Sequence, residues 1–232
     1  MADWISFWDS THSIYVNARH RDVHYAKIAE DISRYVPSRQ ATVLDYGCGE
    51  ALHADVVAAV SGRLILCEAA PKVREALARR FAGNPKIEVR SPEQAGELRE
   101  HSLDLVVMHS VAQYMPAAEL DALLTFFRRL LAPGGLLVLG DILAPDVSAV
   151  TDAAALLRFG AANGFFAAAV FGLARTALSD YWRLRSNLGL SRYGEADMIA
   201  KLKAAGLTAQ RAPKNFGHNA ARMTFLARPS LS

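Results

Sequence analysis

The stretch Val43–His53, "VLDYGCGEALH", decides how this chain is read. An apolar run, an acid and two glycines one residue apart mark a strand that turns tightly into a helix. Such a turn lets backbone approach a ligand closely, and the helix N-terminus behind it offers unpaired N–H groups. Dinucleotide sites use G-x-G-x-x-G/A, but the frame from Gly47 reads G-C-G-E-A-L and puts Leu52 where the third small residue belongs. A second class of nucleoside site places an acid two residues before the first glycine. A carboxylate there orients the loop and accepts hydrogen bonds from an ammonium group, and Asp45 holds that position. Glu68, after "RLILC", stands where a carboxylate can take both hydroxyls of a ribose. Both classes carry a ribose, so Glu68 supports a nucleoside without choosing between them.

The rest of the chain limits what this loop can belong to. With 232 residues, 52% of them apolar and 21% charged, it has room for one well-buried α/β domain with an appendage. Lys and Arg total 26 against 23 Asp and Glu, with no dense basic run, so charge does not point to nucleic acid. Cys48 and Cys67 lack metal-site spacing and companion ligands, which fits a reduced, cytoplasmic setting. The opening "MADWISFWDS" lacks the order of a signal peptide and reads as mature protein.

Helical spacing in "RHRDVHYAKIAEDISRYVP" predicts an N-terminal helix stopped by Pro37, within an arm spanning residues 1–40. From residue 41, apolar runs ("ATVLDY", "RLILCE", "KIEVR", "LDLVVMH", "GLLVLGD") alternate with helices near 50–60, 71–81, 93–99 and 117–131. This βα rhythm predicts a parallel sheet covered on both faces over residues 41–145. "APGG", residues 132–135, reads as a turn before the fifth strand. Residues 146–192 lose the rhythm and read as an apolar helical insertion. A helix in "GEADMIAKLKAAG" and strands in "LTAQRA" and "RMTFLAR" complete residues 193–232.

Four motifs, "VLDYGCGEA", "CEAAP", "LDLVVMHSV" and "LLAPGGLLVLGD", occur in the order and at the intervals found in class I S-adenosylmethionine-dependent methyltransferases, which this chain resembles over residues 41–141. The resemblance implies a Rossmann-like, mostly parallel seven-stranded sheet with an antiparallel last strand, plus a helical cap. It implies S-adenosyl-L-methionine as cofactor, held by Asp45, Tyr46, Gly47, Cys48, Gly49 and Ala51 of the first loop, by Glu68 and Ala69, and by His109 after strand four. Ala51 replaces a common glycine, a small change unless φ there is positive. Pro92 in "RSPEQ" stands where many relatives place an adenine-binding acid, and Glu93 is the substitute. The arm closes over the cofactor in several relatives, so Tyr15 or Arg19 would meet its methionine carboxylate.

Three residues are candidates for the chemistry: His109 and Asp141, at the ends of strands four and five, and His218 before the last strand. Each also has a structural reading: a loop-bonding histidine, an N-cap acid and a turn residue. His20 and His24 share a helix face without a third ligand, and so read as a surface or lid-facing pair. Residues 159–174 carry no formal charge and are too short to span a membrane. They are expected to form a lid over an apolar acceptor, with peripheral membrane contact near Arg175, Arg183 and Arg185, or a homodimer interface, as alternatives. The expected activity is methyl transfer, at oxygen, to a small apolar acceptor. A lipid acceptor, a non-catalytic cofactor-binding protein and an NAD-dependent oxidoreductase are the other readings.

Overall fold

A computed structural model describes residues 2–10, 14–176 and 189–230. Seven strands form one sheet: β1 (Thr42–Tyr46), β2 (Arg63–Cys67), β3 (Ile87–Arg90), β4 (Leu103–His109), β5 (Leu131–Ile142), β6 (Leu207–Arg211) and β7 (Met223–Pro229). Their order is β3-β2-β1-β4-β5-β7-β6. The pairs β1–β2, β2–β3, β1–β4 and β4–β5 are parallel, whereas β7 runs antiparallel to both neighbours. The chain therefore builds outward from β1 in one direction and then returns to add β4 and β5 on the other side. A crevice opens at the carboxyl ends of β1 and β4, where open α/β sheets bind ligands.

Continuous apolar strands serve both faces because side chains alternate. Val43, Leu64, Leu66, Leu105 and Val107 pack beneath α2 (Ala18–Tyr35), α3 (Ala54–Val60) and α4 (Pro71–Phe81). Their neighbours Leu44, Ile65, Cys67, Val106 and Met108 face α6 (Ala117–Leu130) and α9 (Glu195–Ala204). Phe127 of α6 and Phe225 of β7 are fully buried in that second layer. The short α5 (Pro92–Gly96) starts at a reciprocal cap between Ser91 and Gln94 and stops at Gly96, earlier than the expected residue 99.

Two features differ from the sequence reading. The "APGG" segment lies inside β5, because Leu131 already pairs with Leu103. The next pair is Leu105 with Leu136, so residues 132–135 bulge out of the ladder, helped by the positive φ of Gly134. The opening residues also form a helix, α1 (Ala2–Trp8), where no element was expected. Its Trp4 is buried against Tyr114, with ring centroids 4.5 Å apart.

The insertion begins as a helical hairpin. α7 (Ala149–Asn163) is capped by Ser148 and ends at left-handed Gly164, and α8 (Phe166–Thr176) returns along it. A Cβ on Gly172 would lie 2.2 Å from Val16, so α8 sits directly on the N-terminal arm. Arg19 donates to the Asn163 carbonyl at 3.3 Å, joining arm and hairpin again. Among the described residues no helix is long and apolar enough to cross a membrane. Arg183, Arg185 and the Arg175 side chain lie outside the described residues.

Phe127→Ala would empty the centre of the α6 layer. A loss of about 3–5 kcal/mol is expected in urea unfolding, with an unchanged m-value.

Candidate functional site

The loop after β1 is shaped by backbone that only small residues tolerate. Gly47 and Gly49 have φ of 75° and 58°. A Cβ on Gly47 would meet Val111 at 2.4 Å, and one on Gly49 would meet the Tyr25 hydroxyl at 2.7 Å. Ala51 has φ of 41°, so the sequence expectation of a merely packed methyl needs correcting. An L-residue in this left-handed region carries strain of about 1–2 kcal/mol that glycine would not.

The loop amides decide what the loop can hold. Gly47 N and Cys48 N both donate to the Cys67 carbonyl, at 2.8 and 3.2 Å. Gly49 N donates to Glu68 Oε2 at 2.9 Å, and Glu50 N to Tyr25 Oη at 2.9 Å. All four are engaged within the protein, so they do not form the free N–H cradle that a pyrophosphate needs. The loop offers a tight, small-residue surface and the carboxylates beside it.

Asp45 stands one residue before the end of β1, buried in the cavity wall. Burial, with the nearby Glu68 carboxylate, pushes it up to about 7. Glu68 is raised too, chiefly by burial, although the amides of Ala70 and Gly49 oppose the shift. These two amides leave further lone pairs on its oxygens for two hydroxyls. Ala69 lines the same wall, as do Pro92 and Glu93 of α5. Glu93 is exposed, its carboxyl held below the usual range by the Ser91 hydroxyl. The Tyr46 ring packs edge-on against Phe127 at 5.2 Å. Burial raises the Cys48 thiol well above its ordinary range, which leaves it an inert wall residue.

His109 and Asp141 meet at the ends of β4 and β5. His109 Nε2 lies 3.1 Å from the Phe216 carbonyl; a bond to that acceptor places the proton on Nε2. The loop-bonding role is therefore present, on a residue that also lines the cavity. Asp141 accepts from the Ser110 hydroxyl at 2.7 Å and lies 3.8 Å from Arg222. Burial would raise its carboxyl, but His109, Arg222 and Ser110 together bring it below the usual range. Ser110 and Asp141 both have positive φ, of 57° and 62°, concentrating backbone strain at the sheet's carboxyl edge. His218 stacks on Phe159 of α7, with centroids 4.4 Å apart.

The arm brings several of its residues to the cavity. His20 is buried and stacks on Phe165, and His24 lies beside His109 and His218. The pair faces the hairpin and the cavity. Tyr15 lines the cavity and hydrogen-bonds Tyr25. Arg19 does not line it; its exposed side chain pairs with Asp22. Arg21, two residues on, takes that place. It lines the wall beside Glu50, 3.4 Å away, and its buried Nε has no hydrogen-bond partner among the described residues. Only the helix phase of α2 separates the two arginines, and the sequence did not fix that phase.

These residues surround one cavity of about 1350 Å³, running from Asp45 and Glu68 to Asp141, His218 and Arg222. It exceeds the roughly 300–1,000 Å³ of typical small-molecule pockets, leaving space for two ligands side by side. Residues 44–139 match the family model described as a methyltransferase domain. Over these residues the chain is similar to methyltransferase domains. Its fold is shared with the DhpI–SAH complex (14% identity, 98% of this chain and 96% of that one, TM-score 0.62). It is shared also with magnesium protoporphyrin IX methyltransferase from Synechocystis PCC 6803 with bound SAH (16%, 98% and 93%, 0.60). The putative methyltransferase in complex with the Haloferax volcanii Trm112 activator is similar as well (14%, 91% and 92%, 0.62). No curated protein matches the chain.

S-adenosylmethionine is the cofactor that this similarity implies, and the residues present fit it. The engaged loop amides leave no pyrophosphate cradle, Asp45 is a buried acid suited to an ammonium group, and Glu68 retains acceptor capacity for ribose hydroxyls.

The raised Asp45 sets two pH expectations. The folded protein binds an extra proton between the ordinary value of 3.8 and about 7, so stability falls as pH rises through that window. Asp45→Asn is expected to remove this fall, giving a higher Tm than wild type above about pH 7. S-adenosylhomocysteine binding near pH 7 should release protons from wild type and not from the variant, as read from calorimetry in buffers of differing ionisation enthalpy. At the other end of the ligand, Arg21→Ala should weaken S-adenosylhomocysteine binding about tenfold, the loss of one charge-assisted contact, while Arg19→Ala leaves it within about twofold.

Proposed function

We propose that this methyltransferase acts on a hydroxyl oxygen of a small, largely apolar acceptor. The observation that carries the proposal is the state of the cation at the acceptor end of the cavity. Arg222 donates twice to Asp152 Oδ2 and Oδ1 through Nη2, again to Oδ1 through Nε, and to Gln113 through Nη1. With Asp141 also beside it, this guanidinium has no charge to spare for a carboxylate or phosphate acceptor. Apolar groups line the same cavity, among them Ile28, Leu156 and Met115.

In this reading Gly47, Gly49 and Ala51 shape the cofactor loop, while Tyr46, Cys48 and Ala69 form its walls. Asp45 receives the ammonium group, Glu68 the ribose hydroxyls, Glu93 the adenine amino group, and Tyr15 with Arg21 the carboxylate. The cofactor supplies a methyl group already activated by its sulfonium, so the protein's main task is to hold the acceptor oxygen in line and exclude water. His109, Asp141 and His218 form the wall against which that oxygen is held. The arm and the α7–α8 hairpin close the cavity from above.

A second reading, a lipid-borne acceptor met at a membrane surface, is favoured by Phe166, Val170 and Phe171, which α8 leaves exposed. Co-sedimentation with anionic vesicles of wild type and of a Phe166→Ser, Phe171→Ser variant tests it. Calorimetry is expected to show binding of S-adenosylhomocysteine and none of NAD. Transfer of labelled methyl across phenols, alcohols, amines and carboxylic acids should then favour the hydroxyl acceptors. Labelling confined to amines or acids would overturn the assignment to oxygen.

A further inference from the structure

We propose that His24 is the base that takes the proton of the acceptor hydroxyl, and that this hydroxyl is phenolic. The inference rests on reading the cavity as the methyl-transfer site. Four histidine rings from three parts of the chain converge there, and His24 is their centre. Its centroid lies 6.4 Å from His20, 6.3 Å from His109 and 6.0 Å from His218. The other three have structural tasks. His20 Nδ1 receives the Val16 amide at 3.3 Å, His109 is bound to the Phe216 carbonyl, and His218 lies flat on Phe159. Among the described residues no hydrogen bond holds either ring nitrogen of His24, although the ring lines the cavity. Among the described residues no three His, Cys, Asp or Glu side chains are arranged to hold a metal ion.

Burial, reinforced by the three neighbouring histidines, keeps His24 well below its ordinary value, so its lone pair is present at neutral pH. An imidazole is too weak a base to serve an aliphatic alcohol, whose hydroxyl is far less acidic than a phenol's. A phenol, with a pKa of about 10 as in tyrosine, is the hydroxyl it can serve. The ring-lined walls suit a flat aromatic body. An ammonium acceptor would bring a second positive charge against the sulfonium, whereas a phenol brings none. In the step, the O–H bond breaks with its proton passing to a His24 nitrogen. The oxygen's electron pair bonds the methyl carbon, and the carbon–sulfur pair stays on sulfur. One positive charge thus leaves the sulfonium as one forms on the imidazole, and Asp141 favours charge on this cluster.

The test uses protein saturated with S-adenosylhomocysteine and 4-nitrophenol, whose ionised form is yellow, so proton transfer is read without turnover. At a given pH the bound nitrophenol is expected to be ionised about tenfold more in wild type than in His24→Gln, one pKa unit's worth. Equal ionisation by both proteins, or no binding of nitrophenol to loaded wild type, overturns the inference. If S-adenosylhomocysteine itself fails to bind wild type, the methyl-transfer reading has failed instead. Should the variant not fold, ¹⁵N spectra of the wild-type histidine rings decide. Adding nitrophenol should shift the His24 ring nitrogen that accepts the phenol's hydrogen bond, and a shift confined to another histidine, or none at all, overturns the assignment.

Discussion

The hydrogen bond from the Gly49 amide to the Glu68 carboxylate is the constraint on which the site depends. It ties the loop after β1 to the end of β2, across the pair of strands where the crevice begins. Two more amides close on the Cys67 carbonyl, and Tyr25 reaches down from α2 to hold the fourth. The turn can close this far only because residues 47 and 49 lack side chains. The same closure removes the amides from service to a phosphate and leaves two buried carboxylates facing the cavity. A sulfonium nucleoside with its ammonium group meets that arrangement, and a pyrophosphate does not.

Burying Asp45 beside Glu68 has a cost in the absence of ligand. Two carboxylates in a dry wall repel each other, and neither is paired with a cation deep enough to offset desolvation. Ala51, Ser110 and Asp141 add backbone strain at the same edge of the sheet. Sites of this kind hold their destabilising groups in place through the rigidity around them. Here the fully buried β1, β2 and β4 supply it, together with helix layers on both faces.

The cap is organised by a different logic. Arg222 reaches from the segment before β7 to Asp152 on α7, and ring stacking joins His20 to Phe165 and His218 to Phe159. These contacts bring the arm, the hairpin and the C-terminal loop over one opening. The cofactor end of the cavity is built on strands and tight turns; the acceptor end is built on helices and loops. Under the proposed function, acceptor specificity would be carried by the part of the chain outside the sheet.

The sequence by itself determined the sheet, its parallel rhythm and the cofactor loop, because these rest on local rules. Strand periodicity, glycine at left-handed φ and an acid at a strand end are readable within a few residues of one another. The four motifs then fixed their order, and Leu52 already argued against a dinucleotide. Tertiary structure alone decided the rest. The strain at Ala51 is a positive φ in a loop whose preceding amides, Gly49 and Glu50, are held by Glu68 and Tyr25 from elsewhere in the chain. Arg21 and not Arg19 faces the cavity because of the phase in which α2 packs, and "APGG" bulges within β5 because Leu131 finds Leu103. The histidine cluster was written as four separate residues, at positions 20, 24, 109 and 218. Only the docking of the arm and the return of the chain before β7 bring those rings together, and no local pattern encodes a contact across that many residues.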